Sequence, residues 1–88
     1  MESEALRTFR RKMANPLHWR KANRIFSTYT RADLADPNRT RCLIEELASS
    51  LGVPLSGQEQ MQAADWLVKQ SIDPKSRLDR MNLWKKAK

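Results

Sequence analysis

ELASSLGVPLSGQEQMQAADWL, residues 46–67, is the stretch whose reading decides the fold. A helix-like run stops at Gly52, which can take a positive φ at no steric cost. A second run starts after Ser56, with Glu59 three residues on at the spacing of a capping box. Two helices joined by a tight corner have the outline of a DNA-binding helix-turn-helix, and Ala48 supplies the small residue four before the turn glycine. The side chains do not fit that role. A recognition helix offers base-reading and phosphate-binding groups near its N-terminus. Here Gln58, Glu59, Gln60 and Gln62 occupy that position, and no Arg or Lys follows until Lys69. Residues 32–72 carry three basic and six acidic side chains, a local balance of −3 that repels phosphate. The stretch reads as a structural αα-corner.

Working outward, the same punctuation recurs at Asn15-Pro16, Asp36-Pro37 and Asp73-Pro74. A short acceptor side chain followed by Pro at the first helical position is a helix-start signal, and the residue before Pro resists the α conformation. These joints predict an N-terminal basic arm (residues 1–14, helical over about 2–13). Further helices are predicted over Pro16 to about Thr30, Pro37 to Leu51, Gly57 to about Ser71 and Pro74 to about Lys86. Trp19, Ala22, Phe26 and Tyr29 recur at helical spacing with Ile25 alongside, as do Ile44, Leu47, Ala48 and Leu51 with Leu43. Met61, Ala64, Val68 and Ile72 form a third stripe with Leu67, and Leu78, Met81 and Trp84 a fourth. Each stripe is read as core. The expected fold is all-α: a single domain over residues 1–88, as a compact bundle or orthogonal array of four helices plus the arm. Leu47 and Leu67, flanking the corner, should be among the most buried residues.

Composition bounds the rest. Eighty-eight residues with 40% apolar content support one modest core. No apolar run reaches the roughly 20 residues of a membrane span, and the first residues lack the apolar region of a secretory signal. A single cysteine, Cys42, allows no internal disulfide and no cysteine-based zinc site. The expected location is cytoplasmic. His18 and Cys42 lie on different predicted helices, and no triad spacing joins them to a Ser, Asp or Glu. His18 reads as a surface or capping-region residue of a first turn, Cys42 as a small core or boundary residue, and Glu45-Glu46 as an exposed pair. No enzyme activity, metal or cofactor is expected.

The net charge of +7 is concentrated at the two ends. Residues 1–31 hold eight basic and two acidic side chains, and residues 73–88 hold six and two. Arg10, Arg11, Arg20 and Arg24 from the first block and Arg77, Arg80 and Lys85 from the last are the partner-binding candidates. If the ends meet in the fold they form one cationic surface; otherwise the charges are a solvated face. Trp66 sits off the Met61–Ala64–Val68 stripe. It is either covered by a second neighbouring helix, as a central position favours, or exposed as a contact residue, and it joins the candidates on that condition.

The order of features from Asp36 to about Met81 resembles the stage VI sporulation protein F family of spore-forming bacteria. Those features are an Asp-Pro-started helix with Arg39, Leu43 and Ile44, then Gly52-Val53-Pro54-Leu55-Ser56, a second helix, and Ile72-Asp73-Pro74 leading into a Leu/Met-bearing tail. The resemblance covers about half the chain. It implies an intracellular, non-enzymatic role in late spore formation and carries over no functional residues. The function expected from the residues is a small protein-interaction domain with a basic surface, binding another protein. The alternative is a sequence-indifferent nucleic-acid binder using the same surface.

Overall fold

Asn15, Thr30, Asp36 and Ser56 each accept a hydrogen bond from a backbone N–H two or three residues ahead, and each opens a helix. The computed structural model describes residues 4–86, so the first three residues of the N-terminal arm and the last two residues, Ala87 and Lys88, lie outside the described residues. Among the described residues there are six helices and no strand: α1 (Glu4–Lys12), α2 (Pro16–Phe26), α3 (Arg31–Ala35), α4 (Pro37–Leu51), α5 (Gly57–Gln70) and α6 (Arg77–Lys86). The fold is all-α, as expected from the sequence.

The α4–α5 corner is built as its residues dictate. Gly52 ends α4 in the left-handed conformation at φ 68°, with its N–H donating to the Ala48 carbonyl. Ser56 and Glu59 form the reciprocal capping box: the Glu59 N–H donates to Ser56 Oγ, and the Ser56 N–H donates to Glu59 Oε1, both at 3.1 Å. Leu47 and Leu67 pack on either side with at most 1% of their surface exposed.

Two expectations are corrected. The helix expected to run from Pro16 to Thr30 stops at Phe26. The Ser27 and Thr28 hydroxyls fold back onto the Arg24 and Ile25 carbonyls at 2.6 and 2.7 Å, serving groups that helix continuation would have used. Thr30 and Asp33 then form a second capping box, which starts the short α3. The Asp33 carboxyl is held below its usual range, mainly by the Thr30 backbone N–H. At the third Asx-Pro joint, Pro74 does not start a helix. Asp73 Oδ1 accepts from the Lys75 N–H, closing a turn over a buried Pro74, and α6 begins only at Arg77. Ser76 Oγ accepts from the Asp79 N–H, and the Asp79 carboxylate reaches back to the Asp73 N–H. An Asx turn satisfied the acceptor that the sequence signal assigned to a helix cap.

The N-terminal arm is helical, as expected, and it also joins the core. Ala5, Leu6 and Phe9 are buried, with Leu6 and Phe9 fully so, and α1 packs against α5 and α6. The Cα radius of gyration, 11.4 Å, matches the roughly 12 Å of a compact chain this long. Leu6, Phe9 and Met13 share one face, a stripe that the basic character of the segment masked. One continuous core therefore joins all six helices. It runs from Phe9, Phe26 and Trp84 at one end, through Leu43, Leu47 and Leu67, to Leu51 and Val53 at the corner.

Candidate functional site

Helix α6 shows how the candidate site arises. Leu83 and Trp84 turn inward and are buried, whereas Leu78 and Met81 turn outward at 67% and 40% exposure. The expected core stripe Leu78–Met81–Trp84 is thus divided between two faces. Trp84 packs its ring 6.0 Å from Phe9 and nearly perpendicular to Phe26 at 6.2 Å, which locks α6 to both α1 and α2. Its indole N–H is buried and has no hydrogen-bond partner among the described residues. Because α1, the start of α2 and α6 converge around that ring, their outer edges leave an open groove of about 420 Å³.

The groove is lined by Met13, Trp19, Met81 and Trp84, together with the cationic Arg10 from α1 and Lys85 from α6. Ala14 and Pro16 also line it, and among the described residues the lining includes no carboxylate. Two of the chain's three tryptophans and two of its four methionines meet here. The two basic ends of the sequence therefore do come together, and they do so across an apolar floor.

The sequence-derived candidates separate once placed. Arg10 and Lys85 border the groove. Arg11 is exposed and bonds weakly to Thr8 Oγ1 at 3.4 Å, facing a polar cleft with Lys12, Asn15 and His18. Arg20, Arg24 and Arg77 are exposed and do not line the groove. Arg80 does not line the groove: it is half-buried, and its Nη1 donates to the Pro74 carbonyl at 2.8 Å, holding the turn before α6. Trp66 is withdrawn from the set. At 6% exposure it belongs to the core, because α5 is central and is covered on more than one side. Met61, expected in the core, is instead 59% exposed on α5.

A second hollow, of about 570 Å³, runs along α1 and is lined by Glu4, Arg7, Arg10 and Arg11. Among the described residues its lining side chains are all charged, with none of the apolar floor seen beside Trp84.

The groups considered for catalysis are dispersed or occupied. His18 is half-buried, with Nδ1 3.3 Å from the Lys12 carbonyl. Cys42 is exposed rather than core. Glu46 is engaged by Tyr29, whose hydroxyl donates to Oε1 at 2.9 Å. Burial first, then that hydrogen bond and the carboxylate's charge, push the Tyr29 phenol up to about 12. Arg39 lies over the Tyr29 ring at 5.3 Å, with its Nε 3.7 Å from Asp33 Oδ1, so this cluster ties α3 to α4. Among the described residues no three His, Cys, Asp or Glu side chains gather as a metal site would require, and no helix is long and apolar enough to cross a membrane.

Sequence reasoning placed the cationic side chains and missed the floor. Trp19, Met81 and Trp84 were all assigned to buried stripes. The available signal was the adjacent pair Leu83-Trp84, which with Leu78 and Met81 makes α6 apolar on two sides and so leaves one side over. No family model, curated protein or solved structure matches the chain.

Proposed function

We propose that this chain is a small non-enzymatic protein-interaction domain that binds its partner through the groove between α1, α2 and α6. One observation carries the reading: the two basic ends meet around an apolar floor containing two tryptophans and two methionines. Tryptophan and arginine are over-represented among the residues that dominate protein–protein binding energy. Methionine adapts its shape to a partner at little strain. A cationic rim speeds and orients the encounter, while the apolar floor slows dissociation. A cytoplasmic setting agrees with the single exposed thiol of Cys42. The resemblance of residues 36–81 to stage VI sporulation protein F is compatible with such a role and contributes no residue to the site.

The second reading is sequence-indifferent nucleic-acid binding, favoured by Arg7, Arg10 and Arg11 along one side of α1. It makes no use of the apolar floor, because phosphate contacts need only accessible cations. A pull-down with tagged protein from nuclease-treated and untreated lysate separates the two. A protein partner retained after nuclease treatment, and lost from an Arg10→Glu/Lys85→Glu variant, supports the interaction domain. Recovery of nucleic acid alone contradicts it.

A further inference from the structure

We infer that the groove receives an acidic amphipathic helix of the partner protein, its apolar ridge seated on Met13, Trp19, Met81 and Trp84 and its carboxylates paired with Arg10 and Lys85. This rests on reading the same face as a protein-binding surface, and it adds what the partner must present there.

Shape comes first. At about 420 Å³ the groove has the volume of a small-molecule pocket, but it is open between helices instead of enclosed. An open trough between packed helices suits a ridge of side chains at i, i+3 or i+4, and i+7, which is what one face of a helix supplies. The surface also continues past the groove. Leu78, Met81 and Lys85 lie at i, i+3 and i+7 on the outer side of α6, with Leu78 67% exposed. At 1.5 Å per residue that stripe extends about 10 Å, enough to meet two turns of a partner helix.

Charge then selects the partner's flanks. Arg10 and Lys85 both line the groove, among the described residues no carboxylate lines it, and the sequence blocks that supply those side chains are both strongly basic. A partner with basic flanks would meet like charge there, whereas one with Asp or Glu flanking its apolar ridge would meet opposite charge. A bilayer is the rival apolar and anionic surface. It is flat on this scale and cannot reach the recessed Trp84, which is only 5% exposed.

The test is a display selection on the full chain at about 150 mM salt. The probe is a library of helix-forming peptides of ~16 residues, with a fixed leucine ridge and flanks drawn equally from Asp, Glu, Lys, Arg and Ser. Enriched peptides should carry acidic flanks. Their binding should fall roughly tenfold or more on Met81→Asp, and again on Arg10→Glu/Lys85→Glu, but not on Met61→Asp on another helix. Circular dichroism and the denaturation midpoint show that each variant remains folded. The Arg10→Glu/Lys85→Glu chain should instead prefer lysine-flanked peptides. Enrichment without acidic bias, no enrichment, or binding indifferent to Met81→Asp overturns the inference. So does tighter association with phosphatidylglycerol-rich vesicles than with any selected peptide. If the selection fails while the nuclease-resistant partner is still captured through this face, the helix inference falls alone; if that capture fails as well, the interaction reading falls with it.

Discussion

Helices α4 and α5 meet across Gly52–Ser56 with Leu43, Leu47, Ala48, Ala64 and Leu67 closed against each other. At the other end α1, α2 and α6 converge on Trp84 with Met81 and Leu78 still facing out. Both regions are amphipathic helices with sound local termini. They differ in how the third side of each helix is used. Helix α5 is covered on more than one side, which buries even Trp66, whereas α6 is covered on one and keeps an apolar face to spare. A helix with more apolar surface than its neighbours cover is either unfinished packing or a place for a partner.

Substitutions on α6 sharpen that contrast most. Trp84→Ala should cost about 3–5 kcal/mol, because it removes the ring that joins Phe9 to Phe26. Urea denaturation followed by circular dichroism reads this directly, and a loss under 1 kcal/mol would mean the two ends do not share one core. At the corner, Leu47→Ala or Leu67→Ala should cost roughly 2–5 kcal/mol. Near-neutral results at both would break the description of a packed corner.

The caps come next. Ser56→Ala and Asp36→Ala should each cost about 1 kcal/mol through lost N-terminal acceptors. Asp73→Ala should cost less than either, since its carboxylate closes a turn and does not cap a helix. Equal losses at all three would restore the reading of Pro74 as a helix start. Smallest is Met81→Ser, three residues from Trp84 on the same helix, which should stay within about 0.5 kcal/mol.

The Tyr29–Glu46 contact, which joins the connection before α3 to α4, has a pH signature. Tyr29 is the chain's single tyrosine, so absorbance near 295 nm during a base titration follows its ionisation. The midpoint should lie near 12. The folded state raises this pKa, so the associated stability is complete below the unfolded value of about 10 and is lost as pH rises from there through 12. Glu46→Gln should lower the midpoint by removing the carboxylate's charge, leaving the contribution of burial and a hydrogen bond to a neutral acceptor. A wild-type midpoint near 10 would show that the phenol is solvated.

Much of this architecture was legible because it is local. Asn15, Asp36, Ser56 and Gly52 act within three or four residues of themselves, so their types and spacing were sufficient. The Thr30–Asp33 box has the same logic but was hidden by an apolar stripe running through Phe26 to Tyr29, which suggested continuous helix. Asp73 carried the right signal for a different purpose, because a turn and a cap ask the same thing of a carboxylate. The candidate groove was harder to read. Its charged side chains stood out in the composition of the chain ends, but its floor depends on which helices lie beside α6. Periodicity marks a face as apolar without naming what covers it. That is why Trp66, off the stripe of α5, is buried while Met61, on it, is not, and why Trp84 and Met81, on one expected stripe, part company.

The most direct test places a photo-crosslinking residue at Met81 and, in a second chain, at Met61, in the organism that makes the protein. Both side chains are exposed and lie on different helices, so they differ in the surface they report. A protein adduct at position 81 that survives nuclease treatment, with none at position 61, is the predicted result. Nucleic-acid adducts at position 81, or the same adducts at both positions, would contradict the assignment of the groove as the interaction surface.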